Sequence, residues 1–178
     1  MLLPIRVLQA VDAARIEQHL LRLAPADRSL RFAAGVVADE TIRRYVAGIR
    51  FGTDAVLGML DTEGELVAFA HGCVYTVGNS ARVELAFSVD AGRRGKGIGS
   101  SLMAEARFFA ESIGADSVLG MCLARNAPMR RIFASAGMTM TREDGEVHAC
   151  CQLASRGRGE ASRSGRSHPI QELREVTA

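Results

Sequence analysis

The chain has 178 residues, of which 48% are hydrophobic and 24% are charged, and its formal net charge is +2. These values are ordinary for a soluble globular protein, and the length suits one domain. The net charge is too small to indicate a nucleic-acid or membrane partner, and no apolar run is long enough to span a bilayer. The four cysteines show no C-x-x-C spacing, which favours free thiols in the cytoplasm.

Hydrophobic periodicity predicts strands and helices along most of the chain. The predicted strands cover residues 4–8, 55–60, 65–77, 81–89, 117–123, 138–141 and 146–153. The predicted helices cover residues 13–23, 39–52, 98–113 and 126–136. Asp39 and Asn126 are the expected N-caps. Pro25 is expected to interrupt the first helix, and residues 28–37 give no clear pattern.

The composition changes at residue 154 to serine, glycine and arginine with few apolar residues. This change predicts one domain over residues 1–153 and a flexible basic tail over residues 154–178. A basic tail is one way to bind nucleic acid. However, this tail has no aromatic residue and its glutamates interrupt the arginines, so we expect a solvated terminus instead.

A glycine-rich loop joins the strand that ends at Val89 to the helix that begins at Ile98. Its sequence, RRGKGIG, spans residues 93–99 and contains Lys96, the only lysine of the chain. Glycines at alternate positions let backbone N–H groups approach an anion, and the start of the helix adds partial positive charge. The loop therefore predicts a phosphate-binding site.

Two common phosphate loops do not fit this sequence. A nucleotide-binding P-loop needs Ser or Thr after Gly-Lys, whereas Gly97 follows Lys96. A dinucleotide-binding fingerprint needs a third glycine where Ser100 stands, and a βαβ unit rather than three antiparallel strands before the loop. Walker-type and Rossmann-type sites are therefore disfavoured.

The remaining pattern is Arg94-x-x-Gly97-x-Gly99, preceded by the strand VELAFSV at residues 83–89. A second segment combines Asn126 with MRRIF and AGM, which span residues 129–133 and 136–138. Together these segments resemble the GNAT superfamily of acyl-CoA-dependent N-acetyltransferases, over about residues 55–153. The VELAFSV strand is most similar to bacterial protein-lysine acetyltransferases of the Pat type.

The resemblance implies an α/β fold with layered helices and a mixed, mostly antiparallel sheet of about seven strands. Helices would cover both faces of the sheet, with a splay between the fourth and fifth strands. Acetyl-CoA would be the acyl donor, with its pantetheine arm along the fourth strand and its pyrophosphate on the glycine loop. The implied cofactor-binding residues are Phe87, Ser88, Val89, Arg94, Gly95, Lys96, Gly97, Ile98, Gly99, Ser100, Asn126 and Arg130.

Acetyl transfer to an amine requires a group that removes a proton, because an amine with a pKa of about 10.4 is almost entirely charged at pH 7. Glu84 is the predicted base, directly or through water, since it is a lone carboxylate in an apolar strand and matches the base of Pat-type proteins. The structural alternative is that Glu84 points to solvent or pairs with Arg82.

Phe133 stands where the family commonly has a tyrosine that protonates the departing thiolate. Three alternatives follow: the thiolate leaves unassisted, another donor such as Tyr75 serves, or the protein is not a competent enzyme. The resemblance therefore predicts an N-acetyltransferase that acts on a protein lysine or a small-molecule amine in a ternary complex. The alternative is a noncatalytic acyl-CoA sensor. No metal site is predicted, and a homodimer is compatible with the family.

Overall fold

The structure is a computed structural model that describes residues 3–154. The predicted tail lies outside these residues except for Ala154, so the domain boundary at residue 153 stays a prediction. The helices of this part of the chain are α1 (Ala13–Arg22), α2 (Pro25–Phe32), α3 (Asp39–Ala47), α4 (Ile98–Ser112) and α5 (Ala127–Ser135). Its strands are β1 (Ile5–Val7), β2 (Ala55–Leu60), β3 (Leu66–Val77), β4 (Ser80–Val89), β5 (Ser117–Leu123), β6 (Thr139–Glu143) and β7 (Glu146–Gln152).

The strands form one sheet in the order β1-β2-β3-β4-β5-β7-β6. Neighbouring strands are antiparallel except for β4 and β5, which run parallel. The predicted mixed, mostly antiparallel sheet of about seven strands is therefore confirmed. The final hairpin turns at Asp144 and Gly145, which both have positive φ, and it places β7 rather than β6 beside β5.

Helices cover both faces of the sheet, as the resemblance implies. Side chains alternate along β3, so Phe69 packs in one core with α1 and α3, while Ala68 and Ala70 pack in the other with α4. A strand that is buried on both faces carries a continuous apolar run, which explains the sequence of β3. The buried residues of α4 are Ile98, Leu102, Met103, Ala106 and Ala110.

The sequence pattern does not predict α2. Pro25 begins this helix instead of ending structure, because the first turn of a helix has no use for the missing proline N–H. The predicted N-cap at Asp39 is wrong by one residue: Ala38 is the cap, and Asp39 places its negative charge in the first turn. The helix α3 also ends at Ala47, earlier than predicted.

β4 and β5 pair over only part of their length. The paired residues are 82–85 on β4 and 117–120 on β5, although the strands continue to Val89 and Leu123. The predicted splay between the fourth and fifth strands is therefore confirmed, and it opens beyond the pair formed by Leu85 and Gly120. Phe133 packs against this last pair, since a Cβ on Gly120 would lie 2.5 Å from its ring.

Candidate functional site

The gap between β4 and β5 opens into a cavity of about 580 Å³. β4 lines it with residues 85–89 and β5 with Met121 and Cys122, while the loop and the start of α4 contribute residues 93–95 and 97–100. Residues of α2 and α5 complete the wall. This volume is typical of a site for a small molecule or cofactor.

The glycine loop forms an anion-binding end of the cavity. Gly95 and Gly97 have φ of 74° and 80°, in the left-handed region that favours glycine. Gly97 is the N-cap of α4, and Ser101 donates to its carbonyl at 3.0 Å. The three preceding N–H groups, of residues 98–100, have no acceptor within the helix. These groups and the helix dipole together favour a bound phosphate.

The free edge of β4 offers further hydrogen-bonding groups. The Asp90 N–H donates to the Val67 carbonyl at 2.9 Å, one step beyond the last residue pair of β3 and β4. Because antiparallel residues alternate between bonding to the neighbour and turning away, the even-numbered residues of β4 bond to β3. Phe87 and Val89 therefore turn their backbone groups toward the gap. The Val89 carbonyl already accepts from Arg94 Nε at 2.9 Å.

The cavity lining carries an excess of positive charge. It contains four arginines and one aspartate, Asp27 of α2. Asp27 Oδ2 forms an ion pair of 2.9 Å with Arg94 Nη2, which links α2 to the glycine loop. A lining with this charge favours an anionic ligand. The four arginines are Arg31, Arg93, Arg94 and Arg131.

Ten of the twelve residues implied to bind the cofactor line this cavity: Phe87, Ser88, Val89, Arg94, Gly95, Gly97, Ile98, Gly99, Ser100 and Asn126. Lys96 is exposed outside the lining, and its Nζ donates to the Gly92 carbonyl at 3.3 Å. Arg130 is also outside the lining, whereas its neighbour Arg131 is within it.

Two of these lining residues already have a hydrogen-bonded role in the fold. Asn126 Oδ1 accepts from the Met129 N–H at 3.2 Å, so the predicted N-cap of α5 is confirmed. The Ser88 hydroxyl is held by Nε2 of the fully buried His19 at 2.8 Å. The Ser88 side chain therefore fastens β4 to α1.

Glu84 lies next to the cavity lining, which begins on β4 with Leu85. The residue is only 9% exposed, so the alternative in which it points to solvent is wrong. Burial raises the pKa of Tyr75, and the negative charge of Glu84 raises it further. Glu84 is thus a buried carboxylate about 7 Å along β4 from Ala86, where the strand leaves β5.

No tyrosine contributes to the cavity lining within residues 3–154. Phe133 is fully buried in the core and has no hydroxyl to offer. Tyr75 is paired across the sheet with Arg82, about 13 Å along the strand from the level of Ala86. The structure therefore does not bring the alternative donor Tyr75 into the cavity.

Cys122 contributes a thiol to the wall of the cavity on β5. Burial raises the pKa of this thiol, and the positive charge of Arg130 opposes the effect only in part. Cys122 therefore stays protonated at neutral pH, which makes it a poor nucleophile. Cys122 therefore acts as a small apolar residue of the interior.

α2 and Leu23, the C-cap of α1, supply one wall of the cavity that sequence reasoning missed. Leu23 lies in the extended connection between α1 and α2, while Asp27, Leu30 and Arg31 line the cavity with the spacing of one face of α2. The available signal was Pro25, because proline is favoured in the first turn of a helix. The prediction that Pro25 interrupts the first helix hid this second helix.

The sequence model of the acetyltransferase (GNAT) family matches residues 21–138. The chain therefore belongs to this family and is an acyltransferase of the GNAT type. No protein of curated function matches the sequence at a significant level.

Solved structures with the same fold include the GNAT domain of S. lividans PAT, with 22% identity and a TM-score of 0.70 over 84% of this chain and 89% of that one. A phosphinothricin acetyltransferase of Sinorhizobium meliloti, solved with acetyl-CoA, has 15% identity and a TM-score of 0.66 over 86% and 89%. Arabidopsis thaliana NAA60, solved with a bisubstrate analogue, has 16% identity and a TM-score of 0.64 over 86% and 99%. At these identities the likeness establishes the fold.

Two further observations concern the cysteines and the helices of the described residues. All four cysteines are free thiols. No helix between residues 3 and 154 is both long enough and apolar enough to cross a membrane.

Proposed function

We propose that the protein transfers an acetyl group from acetyl-CoA to a primary amine, on a small molecule or a protein lysine, by direct attack in a ternary complex. The observation that carries this proposal is the continuous cavity that joins the glycine loop to the point where β4 leaves β5. The acetyl-CoA bound to the Sinorhizobium meliloti relative supports the choice of acyl donor.

The residues present fit coenzyme A. The N–H groups of residues 98–100 bind the pyrophosphate, because they have no acceptor within the helix and lie at its positive end. The backbone groups of Phe87 and Val89 bind the amides of the pantetheine arm, since they face the gap. Arg94 reaches the phosphate end when it exchanges Asp27 for the ligand. Arg131 adds positive charge from α5.

Glu84 acts as the base, directly or through water. An amine with a pKa of about 10.4 is uncharged in roughly one molecule in a few thousand at pH 7, so one proton must leave before attack. The neutral nitrogen then bonds to the acetyl carbon and the carbon–sulfur bond breaks. Of the two protons that the nitrogen loses, one passes to solvent through Glu84 and the other ends on the departing thiolate.

The state of Cys122 supports direct transfer without an acyl-enzyme. Cys122 lines the cavity as a protonated thiol, which does not favour nucleophilic attack. Phe133 donates no proton, so the thiolate leaves without a tyrosine to assist it. A thiolate whose conjugate acid has a pKa of about 8.5 is stable enough to leave in this way.

A screen for free coenzyme A tests the proposal. Acetyl-CoA is incubated with the protein and a panel of amino acids, polyamines, aminoglycosides and lysine-containing peptides, and the released thiol is measured. We expect acetyl-CoA to raise the melting temperature and at least one amine to release thiol at a rate proportional to enzyme concentration.

The second candidate is a noncatalytic sensor that binds acyl-CoA, and the full burial of Phe133 at the usual tyrosine position favours it. Stabilisation by acetyl-CoA without turnover on any amine supports the sensor. No stabilisation by acetyl-CoA contradicts both candidates. We further propose a cytoplasmic location, because four free thiols suit a reducing compartment.

A further inference from the structure

Arg31 of α2 is a cation in the cavity wall that forms no ion pair with the described residues. Its guanidinium lies over the rings of Phe32, Tyr45 and Phe69, with distances to the ring centroids of 5.1, 5.1 and 5.9 Å. Nη2 donates to the Tyr45 hydroxyl at 2.6 Å. Nε is buried and has no hydrogen-bond acceptor among residues 3–154.

These contacts stabilise Arg31 without neutralising it. Aromatic faces attract a cation, but they accept none of its in-plane hydrogen bonds. A guanidinium carries five N–H donors in a fixed fork, and this fork matches the two oxygens of a carboxylate. Arg31 is half-buried, and a cation that has lost part of its water costs free energy until an anion pairs with it. The surroundings of Arg31 therefore favour an anionic ligand with two oxygens.

A chain of buried hydrogen bonds holds Arg31 in position. Burial alone would raise the pKa of Asp54, but its hydrogen bonds, led by that of His71, outweigh burial and lower it. Because an ionised carboxylate only accepts, His71 Nε2 donates to Asp54 at 3.2 Å. His71 Nδ1 then accepts from the Tyr45 hydroxyl at 2.6 Å, and the Tyr45 oxygen accepts from Arg31. Every donor in this chain points toward Asp54.

The register of the sheet places this chain beside the opening of the splay. His71 lies opposite Ala86, the first residue of β4 beyond its last pair with β5. Glu84 lies two residues away on the same face, opposite Cys73. Arg31 joins this chain of hydrogen bonds through the Tyr45 hydroxyl, which in turn bonds to His71. Arg31 of α2 and the buried carboxylate of Glu84 on β4 therefore lie at neighbouring levels of the sheet, around Ala86.

We propose that the acceptor is an amino acid or a close analogue, and that Arg31 binds the carboxylate next to its amino group. This inference rests on the proposed acetyl transfer. A zwitterion carries its anionic and cationic groups two bonds apart, so Arg31 binds the first while Glu84 takes the proton from the second. Arg31 thereby selects acceptors with a free carboxylate over peptides, amides and polyamines.

The anionic cofactor does not account for Arg31. Asp27 precedes Arg31 by one helical turn, about 6 Å along α2, and Asp27 is the residue that contacts the glycine loop through Arg94. The N–H groups at the start of α4 and Arg94 serve the phosphate end. Arg31 lies beyond them, toward the end of the cavity where the chemistry takes place.

The test compares acids with matched amides. The thiol-release assay is run with L-amino acids and with the corresponding amino-acid amides, which keep the amine and lose the carboxylate. The proteins are the wild type, Arg31→Met, Arg31→Lys and the control Arg44→Met, whose side chain is exposed on α3 outside the cavity lining. Acetyl-CoA affinity is measured for each by calorimetry.

We expect the wild type to prefer acids over amides by at least about tenfold in kcat/KM. Arg31→Met should lower kcat/KM for acids by about 10- to 100-fold, mainly through KM, because a charge-assisted hydrogen-bonded pair is lost. The amides and the affinity for acetyl-CoA should change little. Arg31→Lys should retain part of the preference, and Arg44→Met all of it.

Two results would overturn the inference. One is wild-type acetylation of amides or peptides as efficient as that of acids. The other is a loss of acetyl-CoA affinity in Arg31→Met that matches the loss in kcat/KM, since this would assign Arg31 to the cofactor.

A binding measurement separates this inference from the proposed function. L-amino acids are titrated by calorimetry into the protein saturated with free coenzyme A, where no transfer occurs. If no amine is acetylated but amino acids bind to the wild type and not to Arg31→Met, the proposed function fails and the assignment of Arg31 stands. If amino acids neither bind nor react, the assignment of Arg31 is wrong.

Discussion

Glu84 is the residue on which the proposed proton transfer depends. It is buried on β4 beside the opening of the splay. Glu84→Gln keeps the shape of the side chain and removes its basicity, so we expect kcat to fall by about 10²- to 10⁴-fold. The affinity for acetyl-CoA, measured by calorimetry, should stay nearly unchanged. The control is Glu105→Gln, an exposed carboxylate of α4 outside the cavity lining. Unaltered turnover in Glu84→Gln would remove this residue as the base.

Among residues 3–154, Asp27 is the one carboxylate in the cavity lining, which also contains four arginines, and its Oδ2 lies 2.9 Å from Arg94 Nη2. Asp27→Asn removes a negative charge that competes with the phosphates of the ligand. Because the pair is partly exposed, we expect coenzyme A to bind only about two- to fivefold more tightly. The gain should shrink as salt is added, because salt screens exposed charges.

A matched control for Asp27→Asn is Asp39→Asn. It disrupts a comparable ion pair, of 2.6 Å with Arg28, whose residues are outside the cavity lining. Calorimetric titration of coenzyme A at low and high salt measures both variants. Weaker binding to Asp27→Asn than to the wild type would show that the ion pair organises the loop instead of competing with the ligand.

Residues with local signatures were predictable from the sequence, and residues placed by tertiary packing were not. The glycines of the loop and the Asn126 cap act within a few residues of themselves, so spacing alone indicates them. Arg31 becomes a site residue only because α2 packs against β4 and β5. Arg131 and Arg130 are adjacent in sequence, and only the orientation of α5 decides that Arg131 lines the cavity.

At the scale of elements, α2 forms one wall of the cavity, but its local sequence signal is ambiguous and does not predict a helix. Proline ends a helix when it stands inside one and favours a helix when it stands first, so Pro25 alone does not decide between the two. The position of β7 between β5 and β6 was equally hidden. The local pattern predicts both segments of that hairpin as strands without deciding which one pairs with β5, and long-range pairing selects β7.

The packing of α5 against β5 offers a test of what fixes the width of the splay. A Cβ on Gly120 would lie 2.5 and 2.7 Å from two ring atoms of the fully buried Phe133. Because the ring is fully buried, either it or the backbone of β5 must shift to admit the Cβ, so Gly120→Ala should lower the free energy of unfolding by about 1–3 kcal/mol. Urea denaturation measures the change, and coenzyme A titration shows whether the cavity is altered with it.

Gly92→Ala is the matched control for this substitution. A Cβ on Gly92 meets no atom within 4 Å and its φ is outside the left-handed region, so stability should change by less than about 0.5 kcal/mol. Equal stabilities of the two alanine variants would mean that α5 shifts at little cost. In that case Phe133 would not set the position of β5.

At the scale of the whole molecule, the two faces of the sheet have different compositions. The face covered by α4 packs into an apolar core, which also includes Phe133 of α5. The opposite face embeds polar groups among its apolar side chains, including His19, His71 and Asp54, which are each 5% exposed or less. Stability of this second face therefore depends on protonation, and so does the position of Arg31.

The free energy of unfolding should consequently fall in two steps as the solution is acidified. Burial lowers the pKa of His71 from 6.5, although Asp54 opposes the effect, and Arg31 and Arg50 add to it. The unfolded chain therefore takes up a proton near pH 6.5 that the folded protein does not, so stability declines as pH falls below about 6.5. The pKa values of Asp54 and Asp90 are lowered from 3.8 because hydrogen bonds outweigh burial. Their contribution is present above about pH 3.8 and is lost as pH falls through the folded values.

Melting temperatures measured between about pH 8 and pH 3 resolve these two steps. His71→Gln should be less stable near pH 8, because Tyr45 and Asp54 lose their partner, but it should lack the step that begins near pH 6.5. In the wild type, KM for amino acids should stay constant through this step and rise only at lower pH, where the folded protein protonates His71, since a protonated His71 no longer accepts from Tyr45 and the chain that holds Arg31 is broken. If wild type and His71→Gln decline in parallel from pH 8 to pH 5, His71 does not control stability in this range.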